Sequence, residues 1–409
     1  MSSGTAGADF TGHPRGSRGY RGVLVGLAAA GVATFAQLYS LQGVLPDLAA
    51  DLDLPESSAA LTVSAATLGL ALAVIPWSAA ADRFGRLPAM RAAILAAVVL
   101  GLSVPLADSF SLLLVLRFLE GAALGGIPAV ALAYLSEEVD ARSAALAAGT
   151  YVSGTTVGGL AGRIIAAPLA EAVGWRLGVA AVSVLAALAA VVFMLTAPRQ
   201  RGFTPAADGD RLARRLAANL REPRLLVLYL QGFLLMGGFV AVYNYLGFRL
   251  VNPPFGLPQS VAASLFLAYL AGTWSSRAAG RLTGRPQLGR RRVLLGAIAV
   301  MGAGLALTVL PFLPAVVAGL VVFTAGFFGA HAVASGWVPV IAVEGRAQAS
   351  SLYNLGYYAG SSLLGWVGGF FFQDAGWAAL AGFVAALMAV AALAAALVLR
   401  ADAGAPART

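Results

Sequence analysis

The chain alternates long apolar runs with short polar stretches that hold most of its charged residues. A helix that crosses a bilayer needs about 20 mostly apolar residues, and segments of that kind recur along the whole sequence. They predict twelve membrane-spanning helices, the ninth and tenth separated by a turn at 311–314, because proline breaks a helix and favours a turn. We expect the spans at residues 22–46, 57–81, 92–107, 109–136, 143–170, 177–198, 225–248, 250–276, 293–310, 315–343, 347–373 and 375–399.

The composition supports this interpretation. Hydrophobic residues make up 59% of the chain and charged residues 11%, whereas a soluble domain has about 45–50% and about 25%. A soluble core stops growing beyond roughly 250–300 residues, so the excess apolar surface must face lipid. A soluble enzyme, a DNA-binding protein and a disordered chain are excluded, and an all-α integral membrane protein is indicated. Cysteine is absent, which excludes disulfides and cysteine-ligated metal centres.

The distribution of arginine predicts how the chain is oriented. All 27 basic residues are arginine, the net charge is +9, and positive charge in short loops marks the cytoplasmic side of a membrane protein. With the N-terminus in the cytoplasm and twelve spans, all but four arginines fall on that side. We therefore expect a multi-pass protein of a bacterial cytoplasmic membrane with both termini cytoplasmic. The four exceptions are Arg117, Arg163, Arg176 and Arg249.

A polar connection divides the spans into two groups of six. We expect a cytoplasmic tail at 1–21, a six-helix bundle at 22–198, a linker at 199–224, a second bundle at 225–399 and a tail at 400–409. The linker holds seven arginines. Its segment 211–221 is compatible with an amphipathic helix on anionic lipid headgroups, and a solvated tether is the alternative.

The two halves resemble each other. Because each half has an even number of spans, the copies share one orientation, and such parallel repeats are one known transporter plan, with substrate near the midplane between them. The first and seventh spans pair Tyr39 and Gly43 with Tyr243 and Gly247, an offset of 204. In the later spans, an offset of 202 pairs Tyr151 with Tyr353, Gly154 with Gly356, Gly158 with Gly360, Gly174 with Gly376 and Trp175 with Trp377.

The loop after the second span carries a recognisable motif. Residues 78–86 read Ser-Ala-Ala-Ala-Asp-Arg-Phe-Gly-Arg, a degraded copy occupies 280–291, and Arg117-x-x-Glu120-Gly121 lies in the fourth span. Together they resemble the signature elements of the major facilitator superfamily, whose fold is two parallel six-helix repeats. Glycine and tyrosine clusters at 158–163, 235–247 and 357–362 resemble more narrowly the bacterial YnfM-type branch of drug/proton antiporter-like efflux permeases.

The resemblance implies a secondary transporter that works by alternating access, not an enzyme. It implies proton-coupled export of a small organic molecule, with uptake by proton symport or a non-transporting sensor as alternatives. No phosphate-binding loop or intramembrane protease element is recognisable. We expect a monomer whose partners are a small-molecule substrate and membrane lipid, with no nucleic acid, no metal and no cofactor other than the proton as coupling ion.

The resemblance also implies a cytoplasmic gate in the signature loop. Asp82 is expected to contact the start of the eleventh span near Arg346 and to hold the cytoplasmic side closed. Arg83 and Arg86 would brace Asp82 and the neighbouring Glu137 or Glu138, and Gly85 would permit a tight turn. The alternative is a short loop that only satisfies the rule of positive charge inside.

Three charged residues lie within the predicted spans, where each costs about 2.5–3.5 kcal/mol and is usually functional. Arg117 and Glu120 are three residues apart on one helix face and can pair, and Arg163 is expected at similar depth to complete a triad. In one interpretation Glu120 exchanges a proton during transport, and one arginine is free to meet an anionic substrate. In the other, the three residues form a permanent structural cluster.

Polar and aromatic residues mark a candidate cavity between the halves. Tyrosines also occur routinely at membrane interfaces, so a position at the interface is the alternative for each of them. His331 in the tenth span is a further titratable candidate or a structural histidine. The candidate cavity residues are Gln37, Tyr39, Gln42, Tyr151, Tyr243, Asn244, Tyr353, Asn354 and Tyr357, with Tyr358 beside them.

The fifth span carries a run of glycines at 149, 154, 158, 159 and 162. Small residues allow helices to approach closely in a membrane. The run overlaps the region in which the antiporter group carries a Gly-Pro motif, but Arg163 stands where the proline is expected. Plain helix packing and a hinge are both compatible with the pattern.

Overall fold

The computed structural model describes residues 10–203, 209–285 and 287–399. Within those ranges the chain forms helices and turns, with an isolated bridge between His13 and Val139. The predicted C-terminal tail 400–409, the first part of the N-terminal tail and part of the linker, 204–208, lie outside the described residues.

The first half contains eight helices, with short 3₁₀ turns at Gln42–Val44 and Val104–Leu106. They are α1 Arg18–Leu38, α2 Leu45–Asp51, α3 Glu56–Phe84, α4 Arg86–Ser103, α5 Phe110–Leu124, α6 Gly126–Glu138, α7 Ala144–Val173 and α8 Trp175–Thr196. The linker and second half contain α9 Gly209–Arg221, α10 Pro223–Val251, α11 Gln259–Ser264, α12 Tyr269–Thr283, α13 Gly289–Val309, α14 Leu313–Ile341 and α15 Arg346–Val398.

The described part of the chain has ten helical segments that are long and apolar enough to cross a membrane. The last, α15, has 53 residues and contains non-helical backbone at Ala375 and Gly376, so it supplies two spans. The predicted eighth span corresponds to α11 and α12, which a 3₁₀ turn at Leu265–Ala268 joins. The chain is therefore the all-α membrane protein that the sequence predicts.

The predicted start of the eighth span at Leu250 is wrong. Helix α10 continues through Arg249 to Val251, and α11 begins at Gln259 after a proline-rich connection. Arg249 does not end α10 because its guanidinium turns away and donates to the carbonyls of Thr308 and Leu310. A charge in an apolar run therefore does not by itself mark a helix end.

Two glycines at equivalent positions turn the chain at the end of a long helix. Gly174 has φ +90° and Gly376 has φ +69°, conformations that side chains disfavour. Each glycine is followed by a buried tryptophan, Trp175 or Trp377. These matches support the internal repeat at an offset of 202.

Glycines bring α7 against α1, and α15 against α10, at backbone distance. A Cβ atom added to any of them would lie 2.0–3.0 Å from a carbonyl oxygen of the facing helix. Gly154 and Gly158 of the run on α7 thus pack against α1, whereas Gly149 faces open space and Gly159 lies in a pocket wall. The facing pairs are Gly154 with Ala28, Gly158 with Val32, Gly356 with Tyr229 and Gly360 with Phe233.

These contacts correct one part of the predicted repeat. The equivalent glycines Gly154 and Gly356 are 202 residues apart. The residues that they contact, Ala28 on α1 and Tyr229 on α10, are 201 residues apart. The offset of 204 that pairs Tyr39 with Tyr243 is therefore wrong for the packed part of these helices. A shift of three residues is nearly one helical turn, so chance matches of tyrosine and glycine still fall on similar faces.

The linker helix α9 rests on the second half. Asn219, which is buried, donates to the carbonyl of Gly345 just before α15 begins, over 3.3 Å. The helical interpretation of segment 211–221 is thus confirmed, whereas its contact with lipid stays a prediction.

We expect Gly121→Ala to destabilise the protein. Gly121 on α5 faces α3, and an added Cβ would lie 1.9 Å from the carbonyl oxygen of Ala66. Because both atoms belong to helix backbone, the helices must separate, at a cost of about 1–3 kcal/mol or more. The apparent melting temperature of purified protein in detergent should fall.

Gly149→Ala on α7 is the matched control, since nothing lies within 4 Å of an added Cβ there. Alanine favours helix over glycine, so this variant should melt no lower than the parent. Equal melting temperatures for both variants would contradict the proposed close packing of α3 and α5.

Candidate substrate and coupling site

The two halves touch at one end of the bundle. We call the end that carries the 199–222 connection the linker side and the end that carries α2 the far side. Direct contacts between α1–α8 and α10–α15 lie toward the far side, and we call them the far-side seal. The seal includes Gln42 Nε2 to Asn244 Oδ1 at 2.7 Å, Gln259 Nε2 to the Gly43 carbonyl at 2.5 Å, Ser260 N to Glu171 Oε2 at 3.0 Å, Ser362 Oγ to the Ser64 carbonyl at 2.7 Å, and Gly369 against Ser57.

A cavity of about 310 Å³ lies between the halves. On α7 its wall runs from Arg163 back to Val152, a rise of about 16 Å toward the linker side. Its deep end adjoins the seal, because Arg163 bonds to Gln42. The wall is formed by Phe35, Tyr39, Val152, Thr155, Thr156, Gly159, Arg163, Met236, Phe239, Tyr269, Ser276, Phe328, His331, Asn354, Tyr357 and Tyr358.

Arg163 is a buried cation in this wall, with 2% of its surface exposed. Its Nε donates to Gln42 Oε1 at 2.6 Å, and its other bonds go to the Gly159 carbonyl and, at 3.3 Å, to the Tyr269 hydroxyl. The guanidinium carbon lies 3.9 Å from the ring centre of Tyr39, 4.7 Å from that of Tyr269 and 5.1 Å from that of Phe266. Among the residues that the structure describes, no carboxylate pairs with it.

Arg117 and Glu120 form a separate, fully buried ion pair at 2.5 Å. Arg117 also donates to the carbonyls of Gln37 at 3.1 Å and Leu38 at 2.7 Å, and to that of Thr62 at 3.3 Å. Helix α1 ends at Leu38, where carbonyls lack helical partners. Arg117 therefore caps the end of α1, and Glu120 supplies its counter-charge.

The predicted triad is thus wrong in one member. Chain segment 37–42 lies between the two guanidinium groups, since Arg117 bonds to its carbonyls while Arg163 contacts Tyr39 and Gln42. Arg163 therefore lies in the cavity wall and does not pair with Glu120. Similar depth in the membrane does not bring side chains together when another helix separates them.

Seven of the nine predicted cavity residues fall into three groups. Tyr39, Asn354 and Tyr357 line the cavity, as does Tyr358. Gln42 and Asn244 lie in the seal at its deep end. Behind the wall, Tyr243 bonds to Thr324 at 2.6 Å and Tyr353 bonds to the lining residue His331 at 2.8 Å.

The other two predicted cavity residues, Gln37 and Tyr151, belong to none of these groups. Gln37 points away from the cavity, toward α4, where its amide donates to the carbonyl of Ala97 at 3.1 Å. Tyr151 packs into the core of the first half. Both lie on cavity-forming helices, but a helix presents most of its faces to its own bundle.

Several wall residues were missed by sequence reasoning. Tyr269, Ser276 and Phe328 carry no charge and have no partner in the repeat, so nothing marked them. The sequence could have indicated Thr155 and Thr156 as wall residues, because they precede Arg163 by about two helical turns and share its face.

The signature loop does not join the halves in this structure. Asp82 pairs with Arg86, whose Nε also donates to Glu137 Oε1 at 3.0 Å. Gly85 between them has φ +103°, a conformation that glycine adopts freely. Arg83 lies over the ring of Phe84.

The expected contact between Asp82 and Arg346 is therefore absent from the described residues, with Arg346 exposed at the start of α15. The nearby Arg86 satisfies Asp82, and the direct contacts between the halves lie toward the other side. Glu138 instead accepts the backbone N–H groups of Arg201 and Gly202, at 2.5 and 2.8 Å.

A structural metal site is not evident. The described residues contain no group of three or more His, Cys, Asp or Glu side chains that could hold a metal ion.

Comparisons with known proteins agree with the fold. Residues 27–343 match the Major Facilitator Superfamily, so the chain belongs to that family of transporters, and it is not an enzyme. It is 38% identical to the inner membrane transport protein YnfM of Escherichia coli (strain K12), covering 93% of this chain and 91% of that protein. It is 36% identical to the uncharacterized transporter YybF of Bacillus subtilis (strain 168), covering 92% and 93%. The resemblance inferred from the motifs is confirmed.

A solved structure shares the fold. A bacterial homologue of the human lysosomal transporter Spinster, in an inward-facing and occupied conformation, superposes with a TM-score of 0.75 at 18% identity. The comparison covers 96% of this chain and 100% of the homologue. The chain is thus a multi-pass membrane transporter whose fold implies a small-molecule substrate.

Proposed function

We propose that this protein exports a small organic molecule in exchange for protons, by alternating access, across a bacterial inner membrane. The observation that carries the proposal is an unbroken set of contacts from a buried carboxylate to the cavity. Glu120 pairs with Arg117, Arg117 holds the end of α1, and the next residue, Tyr39, stacks on Arg163.

These contacts give proton binding a route to the substrate site. When Glu120 takes up a proton, Arg117 loses its counter-charge and its hold on the end of α1 changes. Segment 39–42 begins at that end and supplies both Tyr39 and Gln42 to Arg163. Substrate and proton would therefore bias the same short segment, as a coupling of two sites requires.

The orientation and conformation are part of the proposal. The arginines of the linker side support a cytoplasmic position for that side and for both termini, and the similarity to YnfM supports the inner membrane. The halves meet at the far-side seal, and the cavity extends toward the linker side. In this orientation the structure corresponds to an inward-facing state ready to receive substrate from the cytoplasm.

The gate belongs to the opposite state. When the linker side closes, Asp82 would leave Arg86 and approach Arg346 at the start of α15, with Arg83 and Gly85 completing the turn. The exposure of Arg346 and the partial exposure of Asp82 support this exchange. The resemblance to efflux permeases supports export over uptake by symport.

Proton movement in everted membrane vesicles tests the proposal. With the vesicle interior acidified, sugars, amino acids, organic anions and cationic dyes are added singly while a dye reports internal pH. We expect one compound class to provoke proton release, because its entry is exchanged for protons, and Glu120→Gln to abolish that release. Symport would instead give no release on external addition.

Glu344→Gln is the matched control, since that carboxylate is exposed beside the gate. It should leave the proton signal unchanged. A signal of parental size in Glu120→Gln would remove Glu120 from the coupling mechanism. Downhill substrate flux that persists in Glu120→Gln shows that the variant is folded.

A further inference from the structure

The charge and shape of the cavity narrow the class of substrate. We infer that it binds a small organic monoanion, with a carboxylate on Arg163 and a flat apolar body between the aromatic rings of the wall. This deepens the proposed function by naming its substrate class, and it rests on the same cavity. It does not depend on Glu120, on the coupling ion or on the direction of transport.

The first argument is charge balance. Arg163 is 2% exposed and is the single formally charged residue among the described residues that line the cavity. A cation removed from water without a counter-ion is costly, and ring faces compensate only part of that cost. A bound carboxylate completes the missing ion pair.

The second argument is hydrogen-bonding capacity. A guanidinium has five N–H donors in a planar fork that fits a carboxylate. Arg163 uses one toward each of three acceptors, Gln42, Gly159 and Tyr269. Two donors remain without an acceptor in the described part of the chain, which is the number that a bidentate carboxylate takes.

The third argument is the character of the remaining wall. Phe35, Met236, Phe239 and Phe328 line the cavity and present apolar surface, and Tyr357 adds a further ring. A planar hydrocarbon or aromatic body can stack on such rings. The volume of about 310 Å³ lies at the lower end of small-molecule sites, which favours a compact ligand.

The same features disfavour other classes. No carboxylate is among the described residues that line the cavity, so an organic cation would face Arg163 without any compensating charge. A dianion would bring one charge more than this wall neutralises. A sugar carries no charge and would leave Arg163 without a counter-ion.

Binding of matched ligand pairs to the purified full-length protein tests this inference. Benzoate, phenylacetate and cinnamate are each compared with the corresponding amide, at millimolar concentration, by the shift in melting temperature. The amides preserve shape and remove charge. We expect each carboxylate to stabilise the protein and its amide to bind about tenfold to a hundredfold more weakly, since a bond to a charged group is worth more than a neutral one.

Two variants locate the site. Arg163→Gln should remove the difference between carboxylate and amide, and Arg163→Lys should restore part of it because the charge returns without the fork. Arg142→Gln, which removes an exposed arginine from the same half, should leave the difference intact. If Arg163→Gln fails to fold, the comparison of carboxylates with their amides on the parent protein and on Arg163→Lys still tests the inference.

Equal binding of carboxylates and amides, no stabilisation by any carboxylate, or a difference that survives in Arg163→Gln would each overturn the inference. None of these results bears on proton coupling, which the vesicle assay measures with Glu120→Gln. A failure of the proposed function would conversely leave the binding preference in place.

Discussion

A disulfide between Ser57→Cys and Gly369→Cys should abolish transport while it is oxidised. Ser57 on α3 and Gly369 on α15 meet in the far-side seal, where a Cβ added to Gly369 would lie 2.7 Å from the Cβ of Ser57. A disulfide holds its Cβ atoms about 3.8 Å apart, so these two atoms must separate by about 1 Å, and the Tyr245 hydroxyl, which also meets the added Cβ, must move aside. Alternating access requires the far side to open, and a covalent bond there forbids it.

Substrate flux in vesicles, measured before and after reduction, checks this prediction. We expect flux at background level in the oxidised double variant and near the parental level after reduction. The parent chain has no cysteine, so the two single variants under the same oxidant are clean controls. Undiminished flux through protein shown to be cross-linked would rule out opening at this seal.

Arg117→Ala should be the most destabilising substitution considered for the membrane interior. The side chain is completely buried and satisfies Glu120 as well as two carbonyls at the end of α1. Its removal leaves a buried carboxylate unpaired, which costs about 3–5 kcal/mol. The apparent melting temperature in detergent should fall further than in Gly121→Ala.

The double variant Arg117→Met with Glu120→Gln distinguishes the cost of an unpaired buried charge from the cost of lost packing. Removing both charges together eliminates the unpaired ion, so the double variant should recover much of the stability that Arg117→Ala loses. Heat stability of Arg117→Ala equal to that of the parent would show that the pair does not support the fold.

The sequence predicted the spans well where apolar runs and helices coincide. The separation of the ninth and tenth spans at 311–314 agrees with the structure, because proline acts on the local backbone. The break predicted at 374, between the eleventh and twelfth spans, lies next to the non-helical backbone at Ala375 and Gly376. The eighth span was misplaced because Arg249 lies within α10, held there by carbonyls more than fifty residues away in the chain. No local pattern reports such a partner.

The candidate site was predictable only in part for a similar reason. The pairing of Arg117 with Glu120 follows from their spacing on one helix. The separation of Arg163 from that pair depends on where α1 passes, which is a property of the assembled bundle. The wall residues Tyr269 and Ser276 likewise become recognisable only when α12 is set against α7.

The glycine contacts on α7 and α15 bear on how the conformational equilibrium is tuned. They join helices within one half, so the rigid-body rocking that the proposed alternating access entails would preserve them in both states, and their free energy would cancel from the difference between states. Contacts of the far-side seal would exist in one state and add directly to its population. Substitutions at the glycine contacts within the halves would therefore affect folding. Substitutions at Ser64, Ser362 and their neighbours in the seal would instead change the relative populations of the two conformations.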